Sequence, residues 1–350
     1  MRPLSIIIPC RNEERHIGRC LESLLASDYD SRLLEIVVVD GMSTDRTREI
    51  VQDFSRVHPE VRLLDNPTGL KPTALNIGIA NTTADIVMRI DAHAEYARDY
   101  IPILVRGLEL YRADNIGGIR TTDPGRTTWS RAIAQAVSHP FAAGNALYRT
   151  GVAGQRPRKV DTVFCGCYRR EVFHRIGLFN EKLIRAQDRE FNQRLRAHGG
   201  KIVLVPQAHC TYFPRTDFRQ YARWTYEGSR WLFSSQRFTT TKMTSWRNWI
   251  PGLFVLWHAV ALLAVPLSPA WGLAAAAPLL AYWGLNVFVS LRTAVAERSL
   301  AMFFPLVLLF ATTHYSYGLG SVIGWWQAKT QPRQPVDCSP KRIEDYRQAA

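Results

Sequence analysis

Residues 249–326 hold only three charged side chains, Arg292, Glu297 and Arg298, and this restricts what the chain can become. The stretch contains three apolar runs, Trp249–Ser268, Trp271–Leu291 and Leu300–Trp326. Each is long enough, as a helix, to span the roughly 30 Å hydrocarbon core of a bilayer. Trp246, Trp249, Trp271, Trp325 and Trp326 fall near the ends of the runs, where interfacial aromatics gather. Three such runs in succession argue for transmembrane helices over a buried helical core. The mean hydropathy of the chain is near neutral only because it averages this region with a charged N-terminal part.

That N-terminal part alternates two periodicities. Leu4–Pro9, Glu35–Asp40, Val61–Leu64, Asp85–Asp91 and Ile116–Arg120 are short apolar runs that read as strands. His16–Ala26, Asp45–Phe54, Lys71–Ala80 and Arg98–Tyr111 lie between them with helical spacing; Ile17, Cys20, Leu21, Leu24 and Leu25 mark one helix face. Continuous apolar strands alternating with helices imply an α/β domain with a mainly parallel sheet, covered on both faces. Further on, Val163–Tyr168 and Lys201–Val205 read as strands, and Arg169–Ile176, Asp188–His198 and Arg219–Leu232 as helices. Ligands of such sheets bind beyond the carboxyl ends of the strands. Polar residues sit there: Arg11, Asn12 and Glu13 after the first strand, Asp40 after the second, Asp91 and His93 after the fourth.

The formal net charge of +14 is not gathered in a stripe or tail, which argues against nucleic acid as a partner. An anionic membrane leaflet and an anionic substrate such as a diphosphate fit better. The six cysteines form no pair of CxxC motifs and so no zinc pattern; small buried thiols in a reducing compartment are expected. The first apolar run is too short for a signal peptide, so the N-terminal domain is expected in the cytoplasm, at the inner membrane. Three crossings would then put the basic tail, Lys329, Arg333, Lys341, Arg342 and Arg347, outside, against the positive-inside rule. One run re-entering or lying along the surface would relieve that conflict. The expected organisation is a domain over 1–235, an interfacial linker over 236–248, a membrane region over 249–326 and a basic tail over 327–350.

Several segments carry a resemblance: SIIIPCRNEE (5–14), VVVDGMSTDRT (37–47), GLKPTALNIGI (69–79), RIDAHAEY (89–96), the stretch from Cys165 to Leu195 and QYARW (220–224). In this order they resemble family 2 glycosyltransferases with the GT-A fold, and in particular the succinoglycan-type exopolysaccharide glucosyltransferases of bacteria. The resemblance covers roughly residues 4 to 235. It implies a Rossmann-like nucleotide-diphospho-sugar transferase domain and an inverting transfer from a nucleotide-diphosphate donor, UDP being expected, to a lipid-linked or growing saccharide. It also implies that Pro9, Arg11 and Glu13 line the nucleoside and that Asp40 accepts a hydrogen bond from the base. Asp91-Ala92-His93 stands where the family carries its Asp-x-Asp metal motif, so Asp91 and His93 are the candidate ligands of Mn²⁺ or Mg²⁺. Imidazole in the third position suits Mn²⁺ better than Mg²⁺.

Lys71 begins a helix, and a cation at a helix N-terminus makes an anion site. Asp188 aligns with the family's catalytic acid; an inverting transfer needs one carboxylate to take the acceptor proton. Asp188 could instead cap its own helix, and Glu190 is the next acid along. Gln220, Arg223 and Trp224 share one helix side at i, i+3 and i+4, which the family places beside the acceptor. An interfacial anchor is the other reading of Arg223 and Trp224.

Four further readings compete. A polyprenyl-phosphate monosaccharide synthase and a processive polysaccharide synthase differ from the first only in acceptor and product length. A dinucleotide-binding oxidoreductase needs a Gly-x-Gly-x-x-Gly turn, where this chain has PCRNEE. A non-catalytic membrane scaffold has no need of acids at three strand ends together with Asp188.

Overall fold

The computed structural model describes residues 2–144, 146–151, 156–214, 217–264, 268–333 and 343–347. It divides into two compact units. One comprises Met1–Thr121, Gly151–Phe213 and Pro335–Ala350, the other Thr122–Thr150 and Pro214–Gln334. Residues 122–150 and 214–235, expected with the N-terminal domain, thus group with the apolar helices.

The first unit opens with β1 (Leu4–Cys10), α1 (Ile17–Leu25), β2 (Leu34–Asp40), α2 (Thr47–Val57), β3 (Val61–Asp65), α3 (Lys71–Ala80) and β4 (Ile86–Arg89). These strands are parallel: Leu4 lies opposite Leu34 and Ile86, Cys10 opposite Asp40, and Asp40 opposite Asp65. Their β-branched runs face helices on the sheet, and Ile6, Ile8, Ile36, Val38, Leu21 and Leu24 are fully buried. The alternating pattern and the α1 face read from the sequence therefore describe this half.

The other half departs from a parallel sheet. It contains β5 (Ala94–Tyr96), α4 (Tyr100–Leu110), β6 (Asn115–Thr122), β7 (Arg158–Lys159), β8 (Phe164–Arg169) and β9 (Ile202–Tyr212). The strand order is β3-β2-β1-β4-β8-β6-β9-β5, with β7 on β9. β8 runs antiparallel to both β4 and β6, as β9 does to β5 and β7. The sheet is mixed, its parallel half ending at β4.

The second unit holds α5 (Thr128–Ser138), α6 (Pro140–Ala143), α7 (Leu147–Thr150), then, after α8 (Glu171–Ile176) and α9 (Gln187–Ala197) of the first unit, α10 (Phe218–Ser234), α11 (Trp246–Ala264), α12 (Pro269–Ala296) and α13 (Phe303–Thr330). Among the described residues, two stretches are long and apolar enough to cross a membrane, Gly272–Ala296 and Leu300–Thr330. The sequence pointed to three; the remaining run, Trp249–Ser268, continues past the end of α11 at Ala264 through residues 265–267, which lie outside the described ones. Tyr221, Leu306, Leu309 and Phe310 pack with Ile133 and Val137 in this unit's core. Leu253, Leu262, Leu273, Leu280, Phe288 and Phe304 are exposed. Trp249 meets Trp325 edge-on at 6.2 Å between ring centroids. The Trp271 side chain lies outside the described residues.

Candidate active site

The carboxyl ends of β1 and β2 are laced together. The Asn12 backbone N–H donates to Ser43 Oγ at 2.8 Å, and Asn12 Oδ1 accepts from the Thr44 N–H at 2.8 Å. The Glu13 N–H donates to Thr47 Oγ1 at 2.8 Å. Pro9 is half-buried and Arg11 exposed. The Arg11 side chain lies over Gly69, whose φ is +64°; a Cβ there would stand 2.6 Å from Arg11 Nη1, so glycine serves both the turn and the contact.

Asp40, expected to accept from the base, sits among groups of its own loop. It is fully buried. It accepts from the Ser43 N–H at 3.0 Å, the Ser43 hydroxyl at 2.5 Å and Arg48 Nη1 at 2.8 Å, and Arg48 continues to Asp65 at 2.7 Å. In this arrangement Asp40 holds the loop that follows β2.

Asp91 follows β4 and is also buried. Lys71 Nζ, from the first residue of α3, donates to its Oδ1 at 2.7 Å, and Arg89 Nη2 donates to the same oxygen at 2.8 Å. Burial alone would raise this carboxyl's pKa. The charges of Arg89, Lys71 and His93 outweigh burial and hold it well below the usual range. The Asp91 N–H donates to the Tyr96 hydroxyl at 3.2 Å, which fixes the backbone here. Lys71, expected as an anion site, thus meets an acid of the chain itself.

Asp188 lies in the first turn of α9, after Ala186 in the left-handed region at φ +63°. It caps nothing: the helix has no side-chain cap. Its Oδ2 pairs with Arg89 Nη1, so a single guanidinium joins Asp91 to Asp188. Asp188 Oδ1 is buried and without a hydrogen-bond partner among the described residues. Glu190 faces elsewhere and is held by Arg194 through two contacts of 3.0 Å. Arg89 is the residue that sequence reasoning missed. Its only signal was a charge inside an otherwise apolar strand, Ile86–Ile90.

His93 Nδ1 lies 3.1 Å from Glu13 Oε1, and the ring meets Tyr212 edge-on at 5.1 Å. With Nδ1–H donated to Glu13, Nε2 carries the lone pair, the arrangement in which a second partner orients a metal-ligating imidazole. Lys71 and Arg89 both use Asp91 Oδ1, which leaves Oδ2. No cluster of three or more His, Cys, Asp or Glu side chains suited to a metal occurs among the described residues. A carboxylate oxygen and an imidazole fit a divalent ion that draws its other ligands from substrate phosphates. Cys10, Cys20, Cys165, Cys167 and Cys210 are buried free thiols, and Cys338 lies outside the described residues.

Gln220, Arg223 and Trp224 belong to the second unit, on α10. Gln220 and Arg223 are exposed. The half-buried Trp224 ring carries the Arg149 guanidinium 5.3 Å from its centroid. Sequence spacing missed this stacking because Arg149 comes from α7.

Among known sequences, the chain is 32% identical over 212 residues to the succinoglycan biosynthesis protein ExoA of Rhizobium meliloti (strain 1021), covering 60% of this chain and 63% of that one. It is 27% identical over 236 residues to the dolichyl N-acetyl-alpha-D-glucosaminyl phosphate 3-beta-D-2,3-diacetamido-2,3-dideoxy-beta-D-glucuronosyltransferase of Methanococcus voltae, covering 64% and 71%. Its match to the first of these thus spans less than two thirds of that protein. Among solved structures, the mannosyltransferase PcManGT of Pyrobaculum calidifontis shares the fold, with a TM-score of 0.58 at 22% identity, covering 94% of this chain and 88% of that one. Residues 5–177 match the glycosyl transferase family 2 model. By that match, and by a GT-A-like sheet carrying these acids at its strand ends, residues 5–177 form a glycosyl transferase family 2 domain.

Proposed function

We propose that this protein is an inverting glycosyltransferase, held at the cytoplasmic membrane with its first unit in the cytoplasm. It moves a sugar from a nucleotide-diphosphate donor, with UDP as the expected nucleotide, to a lipid-linked or growing saccharide. The observation that carries this reading is the Asp91–Arg89–Asp188 chain, which ties a donor-side acid to a candidate base in one unit. Asp188 takes the proton of the acceptor hydroxyl as that oxygen attacks the anomeric carbon. The bond from the anomeric carbon to the phosphate oxygen breaks, and its electron pair leaves with the nucleoside diphosphate. One carboxylate suffices for this single displacement, and the engagement of Glu190 by Arg194 supports it.

Pro9, Arg11 and Glu13 line the nucleoside in this reading, and Asp40 shapes the loop beside it. Lys71 turns from Asp91 toward the diphosphate when donor is present. Asp91 and His93 would hold a Mn²⁺ or Mg²⁺ ion, which when bound neutralises charge on the leaving diphosphate. PcManGT was solved with GDP-Man and Mn²⁺, which supports both donor class and metal. Gln220, Arg223 and Trp224 would receive the acceptor. The names of the R. meliloti and M. voltae relatives, one in succinoglycan biosynthesis and one acting on a dolichyl-linked sugar phosphate, support a lipid-linked acceptor in polysaccharide synthesis.

The test is release of nucleoside diphosphate from a panel of nucleotide sugars by membranes carrying the protein, with lipid-linked saccharides supplied. Acceptor-dependent release from one donor is expected; no release from any donor overturns the reading. Release should fall away in chelator and return with Mn²⁺ or Mg²⁺. Full activity after exhaustive chelation removes the metal role from Asp91 and His93.

A further inference from the structure

Arg89 has no place among the roles above, yet it is the side chain on which two of them converge. It lies on β4 and is only 5% exposed. Nη2 donates to Asp91 Oδ1 at 2.8 Å, and Nη1 pairs with Asp188 Oδ2. Lys71 reaches Asp91 as well, at 2.7 Å, from the start of α3. The guanidinium is planar, and its two terminal nitrogens diverge at a fixed angle, so carboxylates bound to both are fixed in distance and orientation. Asp188 is left with Oδ1, screened from bulk water and unpartnered among the described residues. A base that must take its proton from substrate needs such an oxygen.

We propose that Arg89 is a positioning residue for the transfer: it fixes the base Asp188 relative to the donor-side acid Asp91, so that acceptor deprotonation and donor cleavage meet at one point. The inference rests on Asp188 being the base. Arg89 acts through Asp188 and does not itself touch the reacting atoms. Lysine in its place has one ammonium and cannot hold both acids in a fixed fork.

The experiment is a double-mutant cycle on the full chain, with nucleoside diphosphate release as readout and thermal melting as a check on folding. Arg89→Lys should lower kcat by about 10²-fold, the scale of a misplaced catalytic group, and leave the donor KM within a few-fold. The variant carrying both Arg89→Lys and Asp188→Asn should be no slower than Asp188→Asn alone, because groups that act as a unit are not additive. If the two losses multiply, or if Arg89→Lys keeps full kcat or raises only KM, the inference about Arg89 is wrong while the base stands. If Asp188→Asn itself keeps turnover, the base reading fails instead. Should Arg89→Lys not fold, Asp188→Glu decides, since it keeps the charge and moves it by one methylene. A large kcat loss at unchanged KM supports fixed positioning, and retained turnover overturns it.

Discussion

At Asp188 the chemistry depends on one proton. Asp188→Asn is nearly isosteric, and the site's packing should be preserved. The amide takes no proton near neutral pH, and general-base catalysis contributes roughly 10²- to 10⁴-fold. Turnover should fall by that order while donor affinity, measured by calorimetry, stays close to that of the parent. Glu190 is a poor substitute base because Arg194 holds both its oxygens. Asp40→Asn should behave differently. It disturbs a fully buried carboxylate that accepts from Ser43 and Arg48. Hydrogen bonds to a charged group contribute about 1.5–3 kcal/mol each, so a lower melting temperature should accompany weaker donor binding. A melting curve identical to the parent's would mean that the Ser43 turn stands without that charge. His93→Asp should shift metal preference toward Mg²⁺ if Nε2 is a ligand, read as the ratio of rates with the two ions.

At the scale of elements, α13 is shaped by what lies against it. A Cβ on Gly324 would stand 2.3 Å from the Arg230 carbonyl oxygen, and one on Gly320 would stand 2.4 Å from that of Tyr226. Glycines four residues apart thus let α10 and α13 pack backbone to backbone, as small residues do between apolar helices. Gly324→Val should force them apart, at the cost of about 1–3 kcal/mol typical of overpacking, and lower the melting temperature in detergent. Gly284, with nothing within 4 Å of its Cβ position, is the control: Gly284→Ala should melt no lower than the parent. The parallel half of the sheet was legible because β1, β2 and β4 are continuous apolar runs with helical periods between them. β5 and β7 are too short to leave a period. The antiparallel pairing of β8 joins segments remote in sequence, and hydrophobic pattern does not encode partners. The site divides along the same line. Residues at strand ends could be picked out, whereas the His93–Glu13 pair, 80 positions apart, and the Arg89–Asp188 pair arise only from folding.

Across the whole chain, a segment near the C-terminal end packs on α3. Ile343 and Tyr346 are buried in the first unit, where the Asn76 side-chain amide of α3 donates to the Tyr346 hydroxyl at 3.1 Å. A tail that packs on α3 lies on the same side of any membrane as α3, so the chain between them crosses an even number of times. A second contact narrows this. Glu297, between α12 and α13, accepts from Gln135 of α5 at 2.7 Å, and its carbonyl accepts from Arg131 at 3.2 Å. α5 is joined to β6 by residues 123–127, which contain no apolar run, so Glu297 lies on that side too. On the proposed membrane reading, a crossing pair then falls before Glu297, in the sequence runs Trp249–Ser268 and Trp271–Leu291, and Leu300–Thr330, although long enough to cross, is expected not to. On that reading Arg292, Arg298, Lys329 and Arg333 would share the proposed cytoplasmic face, which relieves the conflict with the positive-inside rule that three crossings create. The protein should stay in the membrane through high salt and alkaline washing, because apolar helices and not charge hold it. Single cysteines at Ser268 and Ser299, and a reporter fused after Ala350, test the rest. In intact cells an impermeant thiol reagent should label Ser268→Cys but not Ser299→Cys, and the reporter should read as cytoplasmic. External labelling at Ser299→Cys would show that α13 crosses after all and that the Glu297 contact does not survive in the bilayer.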